Sequence, residues 1–472
     1  MFTYKTRTMT NKTAVIIGAG LTGLTTAFYL KKAGWKVRIL ERSNRAGGSI
    51  HTHREDGFVF ESGPNTGVVS HPEVADLFSR LSAHMSFEPA NEEAKRRLIW
   101  KGCRWYDLPS GLKDGVNTPL FAWKDKFRIL LEPFRKKGNN PDETLDELVR
   151  RRLGDTFLDY AVDPFILGIY AGDPSKLVTR YALPKLYQLE QDYGSFIKGS
   201  IKKAKLPKSP DQKKVTRQMF SVKGGLDQLT AALYQSIGEE NFTFNCRSIH
   251  VYPKDEQFQI TYVREGEKQE LLCPHVITTT GAHEVGGLLP FLKQDEKDKL
   301  SDLMYAKVVQ VAVGYKNWRG IPLRAFGGLV PHKEKRKVLG ILFPSAFLKD
   351  RAPEGGALLS VFMGGIRHPE IVQLDDSIIK AMVMDELRCM MLIADEEPDL
   401  FKIFKHTHAI PQYGASTGER LATIAHIEGQ FPGLVLGGNI RDGIGMADRI
   451  RQGTQIAQKL IAGELPDQSK NS

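Results

Sequence analysis

The sequence predicts an α/β protein with three textures: a strand–loop–helix unit at the N-terminus, a helical and basic middle, and a mixed-sheet region beyond it. Three observations predict this. The β-branched apolar run at 13–17 ends in Gly18-Ala-Gly20-Leu-Thr-Gly23 and leads into a helical stretch. Helical periodicity fills 124–131 and 143–153, the second closed by Gly154. Strand-like pieces at 310–315, 328–331, 339–343 and 357–363 suggest a second, mostly antiparallel sheet.

Composition sets the outer bounds. A chain of 472 residues holds two or three domains, and 41% hydrophobic with 26% charged residues is ordinary for a soluble globular protein. Lys and Arg number 66 against 55 Asp and Glu, a net +11 that suits nucleic acid, an anionic membrane surface or an acidic substrate. Cys103, Cys246, Cys273 and Cys389 form no C-x-x-C pair, so neither a metal site nor a disulfide framework is expected. Residues 1–12 lack the apolar segment of a signal peptide. The apolar stretch 14–30 carries three glycines and three threonines and is shorter than the roughly 20 residues of a membrane span.

Taken in order, 13–17 reads as a buried parallel strand. Gly18 permits the tight turn, Gly20 lets backbone N–H groups approach a pyrophosphate, and Gly23 lets helix and strand pack closely. The helix N-terminus then offers partial positive charge to phosphates. A second strand at 36–40 ends at Glu41, placed to take a ribose hydroxyl. Together these define a dinucleotide site, NAD or FAD. The following Arg42, Arg45, Gly47 and Gly48 read either as a second phosphate-side loop or as a solvated turn.

From 82 to 217 the texture turns helical, with a hairpin at 98–106 around Lys101-Gly102. Between 197 and 217 stand eight Lys or Arg and one Asp, either a solvated loop or a contact for anionic lipid. A helix at 226–237 and strands at 242–245, 248–252, 257–263 and 275–280 follow. The chain closes with a strand at 434–436, Gly437-Gly438-Asn439 and a helix at 446–462.

On these residues the fingerprint resembles the glutathione-reductase-type FAD-binding fold. The ending, Pro432-Gly-Leu-Val-Leu-Gly-Gly-Asn439 with Gly443-Ile-Gly-Met-Ala-Asp-Arg-Ile-Arg-Gln-Gly453, resembles the C-terminal flavin motif of the amine-oxidase superfamily. Within it, the chain resembles the protoporphyrinogen oxidase family over nearly its whole length. The stretches 94–97, 108–110, 163–174, 326–331 and 409–413 carry that likeness outside the cofactor motifs. The resemblance implies an FAD unit assembled from 11–81, 218–290 and 415–472. It also implies a helical membrane and substrate insert at 82–217 and a substrate-binding mixed sheet at 291–414.

It further implies site residues. For non-covalent FAD these are Gly18, Ala19, Gly20, Leu21, Thr22, Gly23, Glu41, Arg42, Gly47, Gly48, Ser49, Gly63, Pro64, Asn65, Thr66, Cys246, Gly438, Asn439, Gly445, Met446 and Ala447. N–H groups at the last three would face the N1/O2 side of the reduced flavin. For the porphyrinogen they are Arg97 at a propionate and Gly168, Leu329, Leu342 and Phe362 around the macrocycle. A flat apolar body with carboxylates at an edge needs such walls and a planar cation. Judged without the family, the three apolar residues read as core and Arg97 as a surface arginine.

The implied activity is oxygen-dependent oxidation of protoporphyrinogen IX to protoporphyrin IX by flavin, in haem biosynthesis, with no side chain nominated as a base and no metal. Coproporphyrinogen III is the alternative substrate; another FAD-dependent desaturase or amine oxidase is a further one. Dioxygen as acceptor, a peripheral anionic membrane surface on the cytoplasmic side, and a homodimer complete the implied partners; nucleic acid is not among them. Departures concern His408, where the family commonly has Trp, and Gln310, near the place of an amine-oxidase lysine. Residues 432–451 hold neither an aromatic nor a cysteine, which disfavours amine oxidation and a thioether flavin link.

Overall fold

A computed structural model describes residues 12–207 and 209–463. Residues 1–11, which make up nearly all of the stretch read for a signal peptide, lie outside the described residues, as do Lys208 of the basic run and 464–472. The chain forms a mixed α/β fold around two large sheets.

The first sheet is parallel, in the order Phe242–Thr243, Lys36–Leu40, Thr13–Ile17, His275–Thr278, Leu434–Leu436. Its strands come from three separated stretches of chain. Ile16, Ile39, Val276 and Ile277 are fully buried, as expected of β-branched runs covered on both faces. The fingerprint helix Leu21–Lys32 packs on the C-terminal helix Met446–Ala462 at Gly453. A Cβ there would lie 2.6 Å from the Thr22 carbonyl, and Thr26 Oγ1 donates to the Gly453 carbonyl at 3.2 Å. The first and last helices of the described residues therefore pack together on the sheet face formed by Ala14, Ile16, Ile39 and Ile277.

The second sheet has seven strands in the order Leu400–Pro411, Tyr305–Tyr315, Ala357–Gly364, Val338–Leu342, Gly327–Leu329, Arg97–Lys101, Arg104–Asp107. All neighbours are antiparallel except Gly327–Leu329 beside Arg97–Lys101. The expected hairpin thus forms and extends this sheet, although it lies in the stretch assigned to the helical insert. One sheet face packs through Val311, Ile341 and Val361 on Val383 and Leu387 of the helix Asp376–Met391. The hairpin Thr52–Glu55 and Phe58–Glu61 covers part of the other, with Phe58 and Phe60 against Ala312 and Leu358.

The helical middle is organised by charge. Arg152, Glu132 and Glu190 are buried to 1% exposure or less, and Arg152 Nη1 meets Glu190 at 2.6 Å. Glu132 also accepts from Ser195 Oγ and from the N–H groups of Phe196 and Ile197, so it caps the helix Phe196–Lys205. The expected helix at 143–153 is Leu145–Arg152, with a Thr144/Glu147 capping box, and Gly154 follows at φ +95°.

Several strands were not anticipated: the hairpin Thr52–Glu55 and Phe58–Glu61, the short Gly67–Val68 and Phe87–Pro89, and the longer Glu267–Cys273 and Leu400–Pro411. The two longer ones each have a physical reason. The first is the outer strand of a three-stranded meander and carries Glu-Lys-Gln-Glu in water. The second is a sheet edge whose Lys-His-Thr-His run hides its period. The strand expected at 242–245 stops at Thr243 because Asn245 turns to φ +60°.

Candidate functional site

The fingerprint turn is tightly built. Gly18, at φ +102°, donates to the Leu40 carbonyl at 2.9 Å. A Cβ on Gly23 would stand 2.1 Å from the Gly18 carbonyl, which explains the close strand–helix packing. Gly20, in contrast, faces open space. Glu41 is buried, with Oε2 accepting from Ala19 N–H at 2.7 Å and Oε1 from Ser43 N–H and Oγ at 2.9 Å. Leu21 and Thr22 are buried in the first helical turn, and the Thr22 hydroxyl has no partner among the described residues. Arg42 is largely exposed and pairs with Glu284.

The second glycine loop lies on the first. Gly47 donates to the Ala19 carbonyl at 2.9 Å, and a Cβ on Gly48 would stand 3.0 Å from Gly20 Cα. Ser49 in turn meets Gly63, where a Cβ would be 2.0 Å from the Ser49 carbonyl, so 61–66 starts beside this loop. Pro64 and Thr66 flank Asn65, whose Nδ2 donates to the Gly63 carbonyl at 3.3 Å. Cys246 donates N–H to the Glu41 carbonyl at 2.9 Å; its buried thiol, pushed up by desolvation, points to the Thr243 carbonyl.

The C-terminal piece closes the cradle. Gly438 exchanges two hydrogen bonds with the Gln452 amide, and Asn439 accepts from Tyr305 at its side chain and Tyr413 at its carbonyl. Met446 and Ala447 are buried at the start of the last helix. Gly445 caps it, but its N–H already donates to the Asp448 carboxylate at 3.1 Å. Asp448, also bonded to His71, is held down at about 2 by these donors, against desolvation.

The five substrate-side residues converge through strand register. Across the sheet, Arg97 stands opposite Gly327, Gly327 opposite Leu342, and Leu342 opposite Ser360. Two residues along, Ile99, Leu329, Gly340, Phe362, Gln310 and Phe404 form the next rung. Cross-strand partners and residues two apart share a face, so Arg97, Leu342, Leu329 and Phe362 project to one side. Gly168, on the helix Asp163–Tyr170, sits over Leu329, whose Cδ2 would be 2.5 Å from an added Cβ. The same face meets the loop at 61–66: Gln310 Nε2 donates to the Glu61 carbonyl at 2.7 Å and to Ser360 Oγ at 3.2 Å. Gln310, on the rung of Phe362, thus ties the sheet face, and the groove it forms with the helix Asp163–Tyr170, to Glu61, two residues before Gly63.

Charge in this groove is sparse. Arg97 is half-buried, with Met219 Sδ at 3.4 Å, the Phe326 ring at 5.6 Å, and no carboxylate among the described residues. Desolvation alone lowers its pKa. Lys101, two rungs along the same strand face, lies over the Tyr160 ring at 4.4 Å and is also pulled down by burial. Glu61 is buried and pushed up to about 7 by desolvation, although Leu226 N–H and Thr52 Oγ1 donate to it.

Sequence reading passed over several contributors: Asp448, Tyr305 and Tyr413, and Thr279, whose hydroxyl donates to the Gly18 carbonyl at 3.0 Å. The Thr278-Thr-Thr-Gly281 run after a strand was the available signal. His408 is exposed and stacks on His283 at 3.9 Å, with Tyr305 edge-on to both.

The cradle and groove define a flavin-dependent oxidoreductase. Residues 21–461 match the flavin containing amine oxidoreductase family, and the chain belongs to it. Among its relatives, protoporphyrinogen oxidase 2, chloroplastic/mitochondrial, of Arabidopsis thaliana is 28% identical over 96% of this chain and 94% of its own. Human protoporphyrinogen oxidase is 27% identical over 96% and 99%. A crystal structure of an Exiguobacterium sp. 255-15 protein superimposes with TM-score 0.80 at 22% identity, covering 96% of this chain and 99% of that one. Reduced UDP-galactopyranose mutase does so with TM-score 0.72 at 17% identity, covering 95% and 94%. The cofactor is FAD, and the residues fit it: Gly20 opens on free space, and Thr22 Oγ1 is a buried hydroxyl without a partner among the described residues.

Proposed function

We propose that this chain oxidises protoporphyrinogen IX to protoporphyrin IX. The carrying observation is the groove itself. One sheet face sets an uncompensated, half-buried Arg97 beside Leu342, Leu329 and Phe362, and the same face touches the loop at 61–66. A tetrapyrrole offers an apolar disc to the wall and a propionate to the guanidinium, whose fork takes both oxygens. Residues 18–23, 41–42, 47–49, 63–66, 246, 438–439 and 445–447 would hold FAD, which supplies two-electron acceptor chemistry with dioxygen as the final oxidant. In this reading 11–81, 218–290 and 415–472 serve the cofactor, 291–414 the substrate, and 82–217 the membrane and the substrate, its hairpin joining the substrate sheet. Anaerobic mixing with protoporphyrinogen IX tests the reading. Bleaching of the flavin absorbance supports it, and no bleaching overturns it.

A second reading, coproporphyrinogen III, is favoured by Lys101. Arg97 and Lys101 share a strand face four residues apart, about 13 Å at ~3.3 Å per residue. They bracket Ile99 and its neighbour Leu329, so anionic groups at two edges of a disc would each find a cation. Side-by-side assays of the two porphyrinogens separate the readings, and K101M should discriminate against the tetra-acid alone.

We further place the protein at an anionic membrane surface on the cytoplasmic side. Trp123, Phe127, Leu130, Leu131 and Phe134 are each more than half exposed. Phe134 carries Lys198 over its ring, and Lys202, Lys203 and Lys205 follow on that lysine's helix. Among the described residues no helix is long and apolar enough to cross a membrane, so the reading is peripheral docking. Co-sedimentation with anionic vesicles, weakened by salt and by F127S/F134S, is the expected result; binding to neutral vesicles alike would overturn it.

A further inference from the structure

The proposed reaction lacks a proton acceptor. Oxidising a porphyrinogen by six electrons removes three hydrides and three protons, four of the six hydrogens from meso carbons and two from pyrrole N–H groups. In a round that deprotonates nitrogen, a hydride leaves a meso carbon and a proton leaves a pyrrole N–H. The C–H electron pair leaves with the hydride to the flavin. The N–H pair stays on the macrocycle as new conjugation, and the proton must go elsewhere.

One imidazole on the groove face of the sheet has a nitrogen unpartnered among the described residues. His406 lies opposite Val308 in the sheet and two residues from Phe404, which stands on the rung of Phe362 and Gln310. By the same alternation His406 projects onto the groove face, one rung beyond them. Its ring meets the Ser62 backbone, the residue before Gly63. Its Nε2 is buried with no hydrogen-bond partner among the described residues. A buried polar atom without a partner is costly to the fold, which is reason to ask what else uses it.

We propose that His406 is the proton acceptor of this reaction, its Nε2 taking the pyrrole proton as the hydride departs. The inference rests on the porphyrinogen reading above.

The surroundings keep the ring neutral and therefore free to accept a proton. Burial lowers the His406 pKa from its ordinary 6.5, the Ser62 contact opposes this weakly, and no charged neighbour shifts it. The titratable groups on the packed elements are His53, bonded to Ser62 Oγ at 3.0 Å, His51, whose ring lies 4.2 Å from that of His53 and tilted by 37°, and Glu61. Burial holds His51 and His53 below the ordinary value as well. Lys405 pairs with Asp376 on the helix side, and Lys307 adjoins Val308 in the facing strand. Glu61 is the poorer candidate, because both its carboxylate oxygens already accept from Leu226 N–H and Thr52 Oγ1.

The test pairs kinetics with a readout independent of turnover. In FAD-loaded H406Q, anaerobic flavin reduction by protoporphyrinogen IX should slow on the order of 100-fold, the usual scale for a positioned base. Flavin content should be unchanged and apparent substrate affinity within about twofold of wild type. The wild-type rate should fall on the acid side of the ordinary histidine range, and H406Q should lose that limb. Separately, an imidazole NMR titration of the wild-type protein should place His406 below 6.5 and move it when protoporphyrin IX binds. Wild-type speed and an unchanged pH profile in H406Q, or a His406 titration at 6.5 indifferent to the porphyrin, overturns the inference while the oxidase reading stands. A wild-type flavin that fails to bleach overturns both. If H406Q does not fold, H406F and the wild-type titration still decide the matter.

Discussion

Replacing Arg97 separates a binding residue from a structural one. R97M keeps an unbranched apolar stem against Phe326 and Met219 and removes a guanidinium that no carboxylate compensates. In the free protein this relieves the desolvation of a half-buried cation and forfeits a cation–π contact of about 0.5–2 kcal/mol. The two terms oppose each other, so unfolding stability should stay within about 1 kcal/mol of wild type. In the complex, a charge-assisted hydrogen bond to a propionate is worth about 1.5–3 kcal/mol. At 1.4 kcal/mol per factor of ten, KM should rise about 10- to 150-fold. A contact made equally in the ground and transition states leaves kcat unchanged. Steady-state porphyrin fluorescence gives KM and kcat, flavin absorbance gives cofactor content, and a thermal scan gives stability. R97K retains charge without the fork and should fall between the two. An unchanged KM, or a KM that rises only with flavin loss, would refute the assignment.

Three further outcomes follow from the packing. In the folded protein Glu61 titrates at about 7 against an ordinary 4.5, so the native state holds a proton that the unfolded chain releases across that window. Stability should therefore fall as pH rises from about 4.5 to 7, by on the order of 3 kcal/mol, and chemical denaturation of E61Q should show that slope removed. R152M strips the buried Glu132 and Glu190 of their shared partner and should cost about 3–5 kcal/mol, opening 120–200 to limited proteolysis while flavin is retained. G63A drives a Cβ to 2.0 Å from the Ser49 carbonyl, so the two loops must part by about 1 Å and FAD affinity should drop on the order of 100-fold. The control G111A, with open space around its Cβ, should bind FAD as wild type does in fluorescence titration.

The cofactor cradle was legible because its signals are local. A β-branched run, three spaced glycines and an acid after the second strand sit within thirty residues, and the C-terminal helix came out at its observed limits, Met446–Ala462. The substrate groove was not legible in that way. Arg97 and Leu342 share a face only because Gly327 pairs both ways, a register that joins stretches about 230 residues apart in sequence and has no local pattern. The same limit explains the histidines. Reading singled out His408 from its place before Ala409, yet the face of a residue in Leu400–Pro411 depends on a register shift between Ala306 and Val308. That irregularity separates His406, over Ser62, from His408, stacked on His283. Strand Glu267–Cys273 stayed hidden because an outer strand in water needs no apolar alternation.

The seven-stranded sheet divides stability from function by parity, and adjacent residues of one strand can test that. Val361 points to the helix Asp376–Met391 and is fully buried, whereas Phe362, next in sequence, is half-buried on the groove face. V361A removes two methyl groups from a close-packed layer and should cost roughly 2 kcal/mol, with KM unaltered. F362A leaves the helix side intact, so its larger effect should be on substrate affinity, since an apolar wall is lost where no protein atom replaces it. Paired denaturation and KM measurements on the two variants should therefore cross over. If both variants lose stability alike and neither changes KM, the groove face is ordinary core, and the substrate must bind elsewhere on the cofactor.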